Sequence, residues 1–166
     1  MRQYTIGYYG TAVIVNDANP LKKLTDAQVR DIFTGTIANW KDLGGEDAPI
    51  KVYIRDPVSG TYLGFQELAM EKKPYTSSAV ALKSYDEIVE AVKNDSAAIG
   101  YSGMNLASMT GIHSVAINGI PPTTTSVNDQ VYPYARQIRL YTAKGKEPEA
   151  ALDFIQFVRS KQGQEI

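Results

Sequence analysis

The stretch Arg55-Asp56-Pro57-Val58-Ser59-Gly60-Thr61 gathers residue types that hold an oxyanion. An arginine offers a planar, permanently charged fork of N–H donors that suits a tetrahedral oxyanion. Ser59 and Thr61 add hydroxyl donors, and Gly60 lacks the side chain that would keep an anion away from the backbone. The segment stands between an apolar run, Ile50 to Ile54, and an apolar-periodic stretch from Thr61 to Glu71. It is therefore predicted to join a buried strand to a helix. The first amides of a helix have no internal acceptors, and the helix dipole favours a negative charge beside them. The same residues also make an ordinary helix cap, and Asp56 offers Arg55 a carboxylate next door. Spacing alone leaves both an anion cradle and a simple capped helix start open.

Other chemistries find less support. The chain has no cysteine, which removes disulfides, thiolate catalysis and the common zinc sites. His113 is the one histidine and has no acid or nucleophile beside it in sequence, so neither a metal nor a catalytic role is expected. Asp42, Glu46 and Asp47 read as a solvated acidic loop, and Lys72-Lys73 as helix-end charges. Tyr8, Tyr9, Tyr53 and Tyr101 are expected on sheet or interface surfaces. The glycines match neither a P-loop nor a dinucleotide fingerprint, so no nucleotide or other cofactor is expected. With a formal net charge of −1 and no Lys/Arg-rich run, nucleic acid is not an expected partner. No run of 18 apolar residues suggests a membrane span, and Met1-Arg2-Gln3 leads straight into a strand-like segment without a signal peptide.

These groups need a frame. At 166 residues, 43% hydrophobic and 21% charged, the chain can build one globular domain with a sizeable core. Strand-like and helix-like segments alternate, which predicts an α/β architecture. Tyr4 to Val15 reads as a strand, bent or crossing between two bodies at Gly7 and Gly10. Thr25-Asp26-Ala27-Gln28 is a capping box opening a helix that buries Val29, Ile32 and Phe33 and ends at Gly35. The helix from Thr61 to Glu71 turns Phe65, Leu68 and Ala69 inward. Ser84-Tyr85-Asp86-Glu87 is a second capping box, before Ile88, Val89 and Val92. Ala98 to Tyr101, Ser114 to Ile117 and Arg136 to Thr142 read as strands, with an irregular loop containing a short turn from Pro121 to Asn128. A last helix begins at Pro148, with Leu152, Ile155 and Val158 as its stripe and Phe154 and Phe157 widening it.

Taken in order, several stretches resemble the phosphate-type solute-binding proteins of ABC transporters. They are Gly10 to Val15 with Asn16, Leu24-Thr25 through Asp31-Ile32-Phe33-Thr34-Gly35, Asn39-Trp40, and Arg55 with Ser59-Gly60-Thr61. Ala98-Ile99-Gly100-Tyr101 follows, then Ile117-Asn118-Gly119-Ile120 with Pro122, Tyr132-Pro133 and Arg139-Leu140-Tyr141. The resemblance covers nearly the whole chain. It implies a lobe of the type II periplasmic-binding-protein fold, a mixed sheet flanked by helices, over residues 1–166. About 1–16 and 132–166 would serve as hinge or inter-lobe elements. The chain would correspond to the second lobe and C-terminal segment, without the first lobe. The family's ligand loop maps onto Arg55, Ser59, Gly60 and Thr61, with Asp56 as an orienting residue. The resemblance implies inorganic phosphate or a similar oxyanion as ligand, no catalysis, and an ABC permease as partner. It also implies a periplasmic or extracellular, membrane-anchored location. A lobe alone is expected to bind phosphate weakly, because half the pocket is lacking and water screens the charge. The faces meant for the other lobe, near the first strand and last helix, are expected to be apolar and open to self-association. The alternative of another class is a sensory or protein-interaction domain that keeps the fold without transport. A hydrolase or transferase of phosphate esters has the least support in the sequence.

Overall fold

Fifteen residues rich in Tyr, Ile and Val, Arg2–Asn16, form the first strand, β1, in a computed structural model that describes residues 1–165. The chain continues through β2 (Lys23–Leu24), α1 (Asp26–Thr34), a 3-10 turn (Trp40–Leu43), β3 (Lys51–Arg55), α2 (Gly60–Ala69), β4 (Val80–Leu82) and α3 (Tyr85–Lys93). It goes on through β5 (Ala98–Gly103), β6 (Ile112–Ser114), β7 (Ala116–Ile117), α4 (Thr124–Asn128), β8 (Ala135–Thr142), α5 (Glu149–Arg159) and α6 (Lys161–Gln164). The α/β class expected from alternation is what forms. Two compact units result, Gly10–Ala135 and Met1–Tyr9 with the chain from Arg136 onward; β1 contributes to both.

In the Gly10–Ala135 unit the sheet runs in the order β4-β3-β5-β1-β6. β3 is parallel to both neighbours, with Arg55 opposite Leu82 and Val52 opposite Ile99. β1 is antiparallel to β5 and β6, with Val13 opposite Tyr101 and Val15 opposite His113. The sheet is mixed, and both faces of its centre are covered, so every residue of β5 is buried. On one face α3 sets Ile88, Val89 and Val92 against Ala12, Ile14, Ala98 and Ile112. Gly100 makes this approach possible, since a Cβ there would lie 2.6 Å from Ile88 Cγ2 and 3.2 Å from the Tyr53 carbonyl oxygen. The residues alternating with these point the other way. There Phe65 stacks on Tyr101 with ring centroids 4.3 Å apart and meets Phe33 edge-on at 4.8 Å. Burying one such ring contributes about 1.5–3 kcal/mol.

The predicted helix signals act as read. Thr25 and Gln28 form the reciprocal capping box of α1, which ends in left-handed Gly35. The second signal works differently: Ser84 accepts from the Glu87 N–H, but Glu87 reaches back to the Lys83 amide at 2.9 Å. Two expectations are corrected and a third is sharpened. Leu68 is 36% exposed, because Gly64, Phe65 and Ala69 define the buried face of α2 and Leu68 lies at its margin. The single strand expected over Ser114–Ile117 is two, β6 and β7, since the Val115 amide still donates to Val13 of β1 while the Ala116 amide donates to Lys22 and β7 pairs with β2. The short turn expected within the Pro121–Asn128 loop is the five-residue helix α4, started by a Thr123–Ser126 capping box. Two-residue β2 and β7, paired in parallel, are too short to carry a periodic signal. β4, two of whose three residues are exposed, carries none either.

In the other unit β8 pairs with β1. Pro148 precedes α5, as its N-terminal position predicts. Of the expected apolar stripe only Ile155 is fully buried, while Leu152, Phe154 and Phe157 are exposed. Gln164 of α6 donates to the Ile6 carbonyl at 2.9 Å.

Candidate functional site

Because β3 and β4 run parallel and side by side, α2 and α3 both start beyond the same, carboxyl edge of the sheet. That edge is where ligands bind in open α/β sheets. The loop leaving β3 first extends the ladder, its Asp56 amide donating to the Leu82 carbonyl at 3.0 Å. It then turns, with the Ser59 amide donating to the Asp56 carbonyl at 3.0 Å. Ser59 is the N-cap of α2, and its hydroxyl accepts from the Thr61 amide at 3.2 Å. The Tyr62 amide closes onto the Ser59 carbonyl. The Gly60 amide is left without an acceptor among the described residues. Gly60 is exposed, and a Cβ built there would meet nothing within 4 Å. Of the several unpaired amides expected at this helix start, the Ser59 cap leaves only that of Gly60.

Among the longer described helices, α1, α2, α3 and α5, electrostatics single out the same one; the short α4 and α6 also lack a first-turn acid. The first turn of α1 carries Asp26, that of α3 Asp86 and Glu87, and that of α5 Glu149. Each of those N-terminal dipoles is met by the helix's own carboxylates. The first turn of α2 has no acidic residue.

Arg55 ends β3 with 18% of its side chain exposed. Its guanidinium lies over the Tyr85 ring, 5.0 Å from the centroid. Tyr85 is the first residue of α3, and its hydroxyl is 2.6 Å from Thr61 Oγ1. Asp56 Oδ1 stands 3.8 Å from Arg55 Nη2, close enough for attraction but too far for a hydrogen bond. Arg55 Nε and Asp56 Oδ1 are both buried without a hydrogen-bond partner. Native proteins seldom leave such atoms unpaired, and doing so costs about 1–3 kcal/mol for a neutral group and more for a charged one.

The Arg55 backbone is held from below. Its amide donates to the Tyr101 hydroxyl at 3.0 Å. Tyr75 uses its proton on the Tyr62 carbonyl at 2.9 Å, so at the longer 3.4 Å contact Tyr101 is the donor to Tyr75. Burial is the main reason both phenols ionise only well above the ordinary tyrosine value, with Tyr101 pushed up to about 12. The chain Arg55–Tyr101–Tyr75–Tyr62 ties the end of β3 to the first turn of α2.

Arg55, Ser59, Gly60 and Thr61 are thus brought together at one junction, with Asp56 beside Arg55. Sequence reading missed Tyr85, Tyr75 and the hydroxyl role of Tyr101. The strand-to-helix position of Tyr85, parallel in layout to that of Gly60, was the available signal. His113 stays apart: Nε2 is 2.9 Å from the Leu21 carbonyl oxygen and Nδ1 is 3.4 Å from Asp17 Oδ1. Among the described residues no group of three or more His, Cys, Asp or Glu is placed to hold a metal. A cavity of about 180 Å³ beside Trp40 and Ala97 and a groove of about 630 Å³ beside Leu24 and Asn118 do not include the Arg55 junction. No helix among the described residues is long and apolar enough to cross a membrane.

A family profile described as "PBP superfamily domain" matches residues 1–162. The chain is 26% identical to the phosphate-binding protein PstS of Borreliella burgdorferi over 99% of its own length and 63% of that protein's. It superposes with a TM-score of 0.92 on an ABC-type phosphate transport receptor from Vibrio cholerae, at 25% identity, covering 99% of this chain and 68% of that one. A putative phosphate ABC transporter substrate-binding protein from Clostridium perfringens, solved with bound phosphate, is 32% identical with a TM-score of 0.83, again covering 99% and 68%. The chain spans between about half and two thirds of the length of the curated relatives it matches.

Proposed function

The chain belongs to the PBP superfamily, and from that premise we propose that it is the phosphate-binding module of an ABC-transporter solute-binding protein. Arg55, the Gly60 amide and the hydroxyls of Ser59 and Thr61 would hold the anion, and Asp56 would orient Arg55. The observation that carries this reading is one juxtaposition. A guanidinium with a buried, unpartnered Nε stands beside a helix start that has an open amide and no carboxylate of its own. A dianion satisfies all three at once, with charge-assisted hydrogen bonds to the fork and the amide and a favourable position on the dipole. The names of the relatives support phosphate as the oxyanion.

In this reading Gly10–Ala135 is the lobe that carries the ligand loop, and Met1–Tyr9 with the chain from Arg136 onward supplies hinge or inter-lobe elements. The exposed Leu152, Phe154 and Phe157 suit a covered face there, and they make self-association a consequence to look for. Delivery of the anion to a permease, without chemistry, at an exported and membrane-anchored location follows from the same premise. Binding by this chain alone would be weak, because a solvent-facing anion keeps part of its hydration and its attraction to Arg55 is screened.

Titration with phosphate at constant ionic strength, by calorimetry or thermal shift, tests the site. Arg55→Ala is expected to lose at least about tenfold in affinity, since charge-assisted bonds contribute roughly 1.5–3 kcal/mol. Equal binding by parent and Arg55→Ala would eliminate the proposed site.

A further inference from the structure

We infer that Tyr85 is a positioning residue for this oxyanion site, holding the Arg55 guanidinium with its ring and orienting the Thr61 hydroxyl with its own. The inference rests on the phosphate-site reading and adds to it a residue from a different helix.

Two contacts carry it. The ring lies under the guanidinium, 5.0 Å from centroid to Cζ, within the range where the negative face of an aromatic ring attracts a cation. The hydroxyl lies 2.6 Å from Thr61 Oγ1. A phenol is the more acidic of the two hydroxyls, so Tyr85 is the favoured donor and Thr61 the acceptor. Thr61 then keeps its own proton for an outside acceptor. The result is a directed chain, from Tyr85 O–H to Thr61 Oγ1–H to the anion, that presents the anion with a donor.

The fold explains why a residue thirty positions after Arg55 can do both jobs. β3 and β4 are parallel neighbours with Arg55 opposite Leu82, so the start of α3 stands beside the start of α2. Ser84 caps α3 through the Glu87 amide, which fixes the backbone from which Tyr85 projects. Tyr85 is half-buried against the Ile88–Val92 core, which limits the ring's freedom. The ring has a further consequence. Asp56 attracts the guanidinium from 3.8 Å but forms no hydrogen bond with it, so the Tyr85 ring is a second restraint on Arg55 beside that ion pair. A cation held by a π face keeps its in-plane N–H donors free, whereas one held by a bidentate carboxylate does not. Tyr85 therefore orients Arg55 without consuming the donors an oxyanion needs.

The test compares parent, Tyr85→Phe and Tyr85→Leu by NMR. The motion of the Arg55 Nε–H and the shift of the Gly60 amide are followed while inorganic phosphate is added. Tyr85→Phe keeps the ring and loses the hydroxyl: Arg55 is expected to stay as ordered as in the parent, with phosphate affinity down about threefold. Tyr85→Leu loses both: the Nε–H becomes mobile and affinity falls about tenfold. Matched thermal unfolding of the three proteins separates these effects from a folding defect, and a variant that unfolds is replaced by Tyr85→Met. Equal Arg55 order and equal affinity in all three, with clear binding by the parent, overturns the role of Tyr85 and leaves the phosphate reading standing. Loss of Arg55 order without loss of affinity also overturns it. No Gly60 shift in the parent overturns the phosphate reading, and this inference with it.

Discussion

Replacing Gly60 by aspartate separates an anion site from an ordinary helix start, because the two readings demand opposite outcomes. Position 60 is exposed, helical and outside the left-handed region, and a Cβ there meets nothing within 4 Å, so the new side chain brings no clash. The first turn of α2 has no acid, so an aspartate there meets an uncompensated dipole, which stabilises by about 0.3–1 kcal/mol. Removing glycine from a helix adds a comparable gain at most. For a protein of this size about 1 kcal/mol corresponds to a rise in Tm of roughly 2–4 °C. Phosphate binding should move the other way. Two unit charges about 5 Å apart repel by about 3 kcal/mol at an effective dielectric near 20, and by somewhat under 1 kcal/mol in bulk water. Even an intermediate value weakens binding about tenfold, and a dianion is repelled more. Gly60→Asn supplies the same bulk without the charge and should lose far less affinity. The assay is a calorimetric or NMR titration at fixed ionic strength beside a thermal scan. A stabilised Gly60→Asp protein that binds phosphate as well as its parent would show that the anion does not sit at this helix start.

Three further expectations follow from the geometry. Tyr101→Phe removes the acceptor of the Arg55 amide and leaves that half-buried N–H unpaired, which should destabilise by about 1 kcal/mol in urea unfolding. Gly100→Ala drives a methyl group against Ile88 Cγ2 and the Tyr53 carbonyl and should destabilise by about 1–3 kcal/mol, measured the same way. Asp95 gives a pH signature. Burial works to raise its pKa, but the Lys51 ammonium at 2.6 Å and the Ala97 amide together outweigh it, and the net shift is downward from 3.8. A carboxylate whose folded pKa is depressed contributes stability that is complete above its unfolded value and lost as pH falls through the folded one. Between about pH 5 and pH 3 the parent's urea midpoint should therefore drop more steeply than that of Asp95→Asn. Parallel curves would contradict the Lys51–Asp95 contribution.

Much of this fold could be read from residues whose local chemistry has few outlets. Thr25–Gln28, Gly35, Ser84 and Pro148 marked helix ends because capping is a short-range matter, and Arg55, Ser59, Gly60 and Thr61 stood together because a single loop holds them. What escaped was set by distant partners. Tyr85 and Tyr101 are ordinary strand and helix residues until β3 lines up with β4 and β5, and only that register brings their hydroxyls to Thr61 and Arg55. Asp17 and His113 are likewise far apart in sequence, and the pairing of β1 with β6 brings them within 3.4 Å. Leu68 was misassigned because a three-residue apolar spacing fits two adjacent faces of a helix, and the side chains of neighbouring elements decide between them.

A crystal of this protein soaked in arsenate, a phosphate analogue visible by anomalous scattering, tests the central claim most directly. An anomalous peak within hydrogen-bond distance of both the Arg55 guanidinium and the Gly60 amide is the predicted result. Arsenate bound elsewhere, with Arg55 still over the Tyr85 ring and nothing at Gly60, would contradict it.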